Sequence, residues 1–68
     1  MDWGKVVGSN VRRLRIERKL TQEQLAHEAG IDLTYVGGIE RGRRNPSVKV
    51  LGQIANALDV HPRELLSE

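Results

Sequence analysis

The segment from Thr21 to Gly42, TQEQLAHEAGIDLTYVGGIERG, constrains the fold most, because it interrupts a helical pattern at one defined point. Leu25, Ala26 and Ala29 share one face of a short helix, and Gly30 follows the last of them directly. Glycine suits a left-handed helix terminus because it lacks the Cβ that would clash there. At the other end, Thr21 followed by Gln22, Glu23 and Gln24 offers an N-cap with capping-box chemistry. Asp32 is the next N-cap candidate. Val36 and Ile39, with Leu33 or Tyr35, outline another short helix that ends at Gly42. Ala26 and Ala29 are small where two such helices must cross closely. The pattern predicts two short helices joined by a sharp glycine turn.

The flanking segments are helical too. Val7, Val11 and Leu14 recur at i, i+4 and i+7, which predicts an amphipathic helix over roughly 4–19. Asn45-Pro46-Ser47 reads as a turn, with Ser47 placed to cap the next helix. Val48, Leu51, Ile54, Ala55 and Leu58 give the clearest apolar stripe. Pro62 suits the first turn of a last short helix whose apolar residues are Leu65 and Leu66. No segment alternates with period two for long enough to form a strand. The chain has 68 residues, and a domain of this size buries only ~60% of its unfolded surface. The expectation is one compact all-α domain of five short helices over 1–68. Its paired helices span about 21–42 and its C-terminal helices about 47–67.

Composition narrows the function by exclusion. There is no cysteine, so neither disulfides nor a thiolate metal site can support the fold, which fits a reducing compartment. The longest apolar run is two residues, too short for a membrane span or a secretory leader, so a cytoplasmic protein is expected. His27-Glu28 begins like a zinc-protease helix, but Ile31 stands where the second histidine would be, and His61 is 34 residues away. Neither a GxxxxGK phosphate loop nor a GxSxG elbow occurs. The carboxylates are scattered singly among bases, as in helix-surface pairing. No catalytic group, metal, cofactor or small-molecule ligand is expected.

Eleven Lys+Arg against nine Asp+Glu give a net charge of only +2. The distribution says more than the sum. Arg12, Arg13, Arg15, Arg18 and Lys19 form one cluster, and Arg41, Arg43, Arg44 and Lys49 form another. Clustered positive charge is either the footprint of a phosphate backbone or a solvated charged face. The paired helices favour the first, because a helix-turn-helix places one helix over the DNA backbone and the next in the major groove. The rival is an ordinary helical hairpin in a small bundle.

The run TQEQLAHEAGI…YV..IERGRRNPSV..L..IA.AL.V resembles the phage-repressor helix-turn-helix family, the Cro-like or xenobiotic-response-element type. The likeness extends from about Val11 to Leu66. Within that family, the stretch TYV.GIERG.RN.S is most similar to restriction–modification controller proteins. The resemblance implies a five-helix fold and a dimeric transcriptional regulator on a near-palindromic double-stranded DNA operator. Carried over by position, Asp32, Leu33, Thr34 and Tyr35 open the recognition helix and face bases, with Gly38 one turn further on. Gln22, Arg43, Arg44, Asn45 and Ser47 fall where the family grips the DNA backbone. Arg15 and Glu40 match a structural ion pair between the first helix and the recognition helix.

Each assignment has a local rival. Asp32 is placed either to accept from cytosine or only to cap its helix. Leu33 and Tyr35 are placed either to touch DNA or to pack on the protein. Val60, Pro62, Leu65 and Leu66 are the expected dimer surface, with closure of the monomer core as the alternative for Leu65 and Leu66. The opposing functional class is an antitoxin or a small helical module whose main partner is a protein.

Gly37 and Gly38 depart from the family, which usually has a small residue, often serine, at the first and a long polar reader at the second. Each glycine inside a helix costs roughly 0.5–1 kcal/mol against alanine. The expectation is that bare backbone at Gly38 allows close approach to a neighbour or to the groove floor.

Overall fold

The structure is a computed structural model that describes residues 1–68 as four α-helices and a final 3₁₀ turn. Helix α1 spans Trp3–Glu17, α2 Gln22–Ala29, α3 Leu33–Glu40 and α4 Val48–Leu58. The expected fifth helix is the single 3₁₀ turn Pro62–Leu65, led by Pro62. There are no strands. The expected first helix stops short of 19, with Glu17 its last residue.

The helix starts follow from local chemistry. Thr21 and Gln24 form the reciprocal capping box: Gln24 N–H donates to Thr21 Oγ1 at 3.0 Å, and Thr21 N–H to Gln24 Oε1 at 2.8 Å. Ser47 Oγ accepts from Val50 N–H at 3.1 Å, and Asp2 caps α1 through Lys5 N–H. Asp32 differs. Its backbone takes the extended N-cap conformation, but its side chain makes no capping hydrogen bond.

All four helices stop in the same way. A left-handed residue follows each one, namely Lys19, Gly30, Gly42 and Asp59, with φ of 58°, 70°, 74° and 56°. The next amide then reaches back across the last turn: Leu20 to Arg15, Ile31 to Ala26, Arg43 to Gly38 and Val60 to Ala55, at 2.9–3.0 Å. This satisfies carbonyls that a helix end would otherwise leave open.

Twelve buried apolar residues from every element form one core: Val7, Val11, Leu14, Leu25, Ala26, Ala29, Val36, Ile39, Ile54, Ala55, Leu58 and Leu65. Leu65 is fully buried, so it closes the monomer core and is not part of a surface between copies. Of the other residues expected there, Val60 packs on the core edge, while Pro62 is exposed and Leu66 is 46% exposed. The 3₁₀ register explains the split, because adjacent residues in a tight turn face different ways. Asn10, a polar residue within the apolar face of α1, holds this end in place. Its Nδ2 donates to the carbonyls of Leu65 at 3.0 Å and Ser67 at 2.7 Å.

Candidate nucleic-acid interface

Helix α3 packs against α1 on one side and α2 on the other. Val36 and Ile39 anchor it in the core. At its C-terminal end Arg15 and Glu40 form a two-pronged pair, with Nε to Oε2 at 2.7 Å and Nη2 to Oε1 at 3.1 Å. Arg15 also donates to the Leu20 carbonyl at 2.8 Å, at the turn before α2. Gln22 Nε2 donates to Glu40 Oε1 at 3.1 Å. Glu40 thus joins α1, the first turn of α2 and the end of α3. This leaves Gln22 half-buried with one amide N–H and its carbonyl oxygen uncommitted.

The first turn of α3 faces outward. Asp32, Leu33 and Thr34 are all exposed, and Leu33 is 43% exposed. The Asp32 carboxylate, free of its capping role, has its acceptors open. Tyr35 is half-buried against the core, and its ring receives the Arg44 guanidinium at 4.9 Å from the centroid.

Gly37 and Gly38 are both buried within α3. Each is covered by an arginine from beyond the helix end. A Cβ on Gly37 would lie 3.1 Å from Arg41 Nη1, and one on Gly38 would overlap Cγ of Arg44. The glycines therefore make room for arginine side chains from their own chain. Sequence reasoning missed the Arg44 cover over Gly38 and the Arg44–Tyr35 stack, because both depend on the path of the loop after Gly42.

The two basic clusters differ. In and just after α1, Arg15 is consumed by Glu40, Arg13 meets Glu17 at 3.2 Å and Arg18 stands 3.9 Å from Asp59, while Arg12 and Lys19 are exposed and make no ion pair. Arg41, Arg43, Arg44 and Lys49 make no ion pair, and all four are exposed. Asn45 and Ser47 are exposed on the same loop, and the Ser47 hydroxyl, though accepting from Val50, still has its proton to donate. Unpaired positive charge thus follows the C-terminal end of α3, and Tyr35 brings part of it to the α3 surface.

A family model described as helix-turn-helix matches residues 11–65. The chain is 48% identical over 67 residues to an uncharacterized HTH-type transcriptional regulator of Sinorhizobium fredii, covering 98% of this chain and 87% of that one. It is 42% identical over 60 residues to the control protein C.BamHI of Bacillus amyloliquefaciens, covering 87% and 74%. Among solved structures, the restriction-modification controller protein C.AhdI from Aeromonas hydrophila superposes with a TM-score of 0.89 at 47% identity. That match covers 91% of this chain and 94% of C.AhdI. With its paired helices, glycine turn and core accounted for, the chain belongs to the helix-turn-helix family of transcriptional regulators.

Proposed function

We propose that this protein binds double-stranded DNA sequence-specifically, as a dimer on a near-palindromic operator, and regulates transcription in the manner of a restriction–modification controller. The observation that carries this reading is the exposed first turn of α3 with unpaired arginines beyond its other end. A recognition helix needs open hydrogen-bonding groups at its start and positive charge beside it.

In this reading α3 enters the major groove with Asp32, Leu33 and Thr34 leading and Tyr35 at the edge. Thr34 offers a hydroxyl and a methyl, Leu33 an apolar contact for a thymine methyl, and Asp32 an acceptor for the cytosine amino group. Gln22, Arg43, Asn45 and Ser47 hold the sugar–phosphate backbone and set the register. One small domain reads few bases, so two copies related by a twofold axis would read half-sites about one helical turn apart, ~34 Å. Exposed Pro62 and Leu66, with Val60 at the core edge, supply the surface between copies.

A salt-titrated gel-shift series on fragments from around its own gene tests the reading. One fragment should bind at least ~10³-fold more tightly than the rest, with affinity falling steeply as salt rises. Equal, weak binding to every fragment overturns it.

A further inference from the structure

Gly38 carries no side chain, yet the space in front of it is filled. An added Cβ would overlap Cγ of Arg44, and the Cβ and Cδ of the same side chain would stand at 3.5 Å. The Arg44 stem therefore lies on the bare backbone of α3 and ends with its guanidinium over the Tyr35 ring. The loop is anchored at the same place. The amides of Arg43 and Arg44 both donate to the Gly38 carbonyl, at 2.9 and 3.2 Å. No carboxylate pairs with Arg44, so its donors are free of ionic partners.

A phosphate contact needs positive charge and little geometry. Base readout needs a planar fork held in a fixed direction. Arg44 has the second arrangement: a seated stem, a stacked head and a backbone tied to the helix it lies on. Fixing the side chain before binding removes much of the rotamer entropy that an arginine otherwise loses. The uncovered backbone at Gly38 makes that seat possible.

We infer that Gly38 is a specificity-determining position that acts through Arg44, seating its stem on α3 so that the guanidinium reads a guanine through O6 and N7. This rests on the DNA-binding function proposed above, and it moves Arg44 from backbone grip to base readout. A side chain at position 38 displaces the Arg44 stem. Arg44 is exposed in the loop between α3 and α4, so the displacement leaves the core undisturbed.

Selection from a randomised duplex library, run with the wild type, Arg44→Lys, Gly38→Ala, Arg44→Ala and the Gly38→Ala/Arg44→Ala double variant, tests this. The wild type should enrich a motif containing a guanine in each half-site. Arg44→Lys keeps the charge but not the fork, and it should relax that guanine by roughly 5- to 150-fold while the other positions persist. Gly38→Ala should relax the same guanine and should add nothing once Arg44 is alanine. The inference is overturned if Arg44→Lys leaves every base preference intact. It is equally overturned if Gly38→Ala changes preferences as strongly in the Arg44→Ala background. A Gly38→Ala variant that fails to melt cooperatively also overturns it, because a side chain at position 38 would then disturb the fold rather than only the Arg44 stem. A wild type that enriches no motif overturns the DNA-binding function itself, and the inference with it.

Discussion

Gly8 of α1 lies directly against the carbonyl oxygen of Ile39 in α3: a Cβ at Gly8 would overlap that oxygen and stand 2.9 Å from the carbonyl oxygen of Glu40. Here two helices cross with no side chain between them. The obstacle is backbone, which cannot swing aside as the Arg44 stem can. Gly8 therefore sets how close α1 comes to the end of the proposed recognition helix.

Gly8→Ala should accordingly destabilise the fold by about 1–3 kcal/mol, the usual cost of overpacking a tight site. Urea denaturation followed by circular dichroism measures it. Stability equal to wild type would show that the helices separate freely and that the crossing is not fixed at Gly8.

Gly52 gives the opposite expectation. It sits inside α4, and an added Cβ would meet nothing within 4 Å. Gly52→Ala removes a helix-interior glycine at no steric cost and should stabilise by about 0.5–1 kcal/mol. For a domain of this size that is a rise in Tm of roughly 2–8 °C. A lower Tm would mean that α4 needs the glycine for a reason outside the monomer, and a shift in dimer dissociation would then locate it.

Arg15 and Glu40 should respond unequally to removal. The Glu40 side chain is only 4% exposed, against 13% for Arg15. Arg15→Ala leaves a buried carboxylate with Gln22 as its remaining partner, whereas Glu40→Ala leaves an arginine still bonded to the Leu20 carbonyl. Arg15→Ala should cost about 3–5 kcal/mol, the penalty for a buried charge without its partner, and Glu40→Ala less. Replacing both by apolar residues of similar volume should recover much of the loss. Thermal melts that rank Glu40→Ala as the more damaging change would contradict this account.

The parts of the fold legible in sequence are those decided within a few residues. Thr21 with Gln24, Gly30, Gly42 and Ser47 each act on their own helix end, so local chemistry identifies them. The apolar stripes contain every core residue for the same reason, but they also include Val48, which is 86% exposed. What stayed hidden depends on distant contacts. Nothing near Gly8 reveals that α3 ends against it, and the cover over Gly37 and Gly38 comes from arginines past the helix end. Leu65 and Leu66 are chemically identical neighbours, and only the 3₁₀ register sends one into the core. Lys19 adopts left-handed backbone that its residue type does not announce. Within the candidate interface, helix phase left Leu33 and Tyr35 as alternatives for the apolar face, and the structure exposes Leu33 and half-buries Tyr35. The Arg44–Tyr35 stack needed the course of the loop.

Asn10 offers a test of how the C-terminal end is held. It donates to the carbonyls of Leu65, at the end of the last turn, and of Ser67 beyond it. Asn10→Ala strands a buried acceptor at Leu65 and should cost about 1–3 kcal/mol. The amides of Glu64 and Leu66, which close the 3₁₀ turn onto His61 and Arg63, should exchange with solvent faster. Unchanged protection there would show that Leu65 burial alone holds the segment.

Lys19 lies in the turn between α1 and α2. Its φ of 58° places a residue with a Cβ in the left-handed region, which costs about 1–2 kcal/mol. Glycine accepts the same conformation without that strain but loses more backbone entropy on folding, about 0.5–1 kcal/mol. The difference favours Lys19→Gly by up to about 1.5 kcal/mol. Asp59 should gain less from the same change, because aspartate tolerates this region better and Asp59 lies 3.9 Å from Arg18. Denaturant midpoints for Lys19→Gly and Asp59→Gly should therefore both rise, the first by more. A fall for Lys19→Gly would mean that the turn between α1 and α2 depends on the lysine side chain rather than on its backbone geometry.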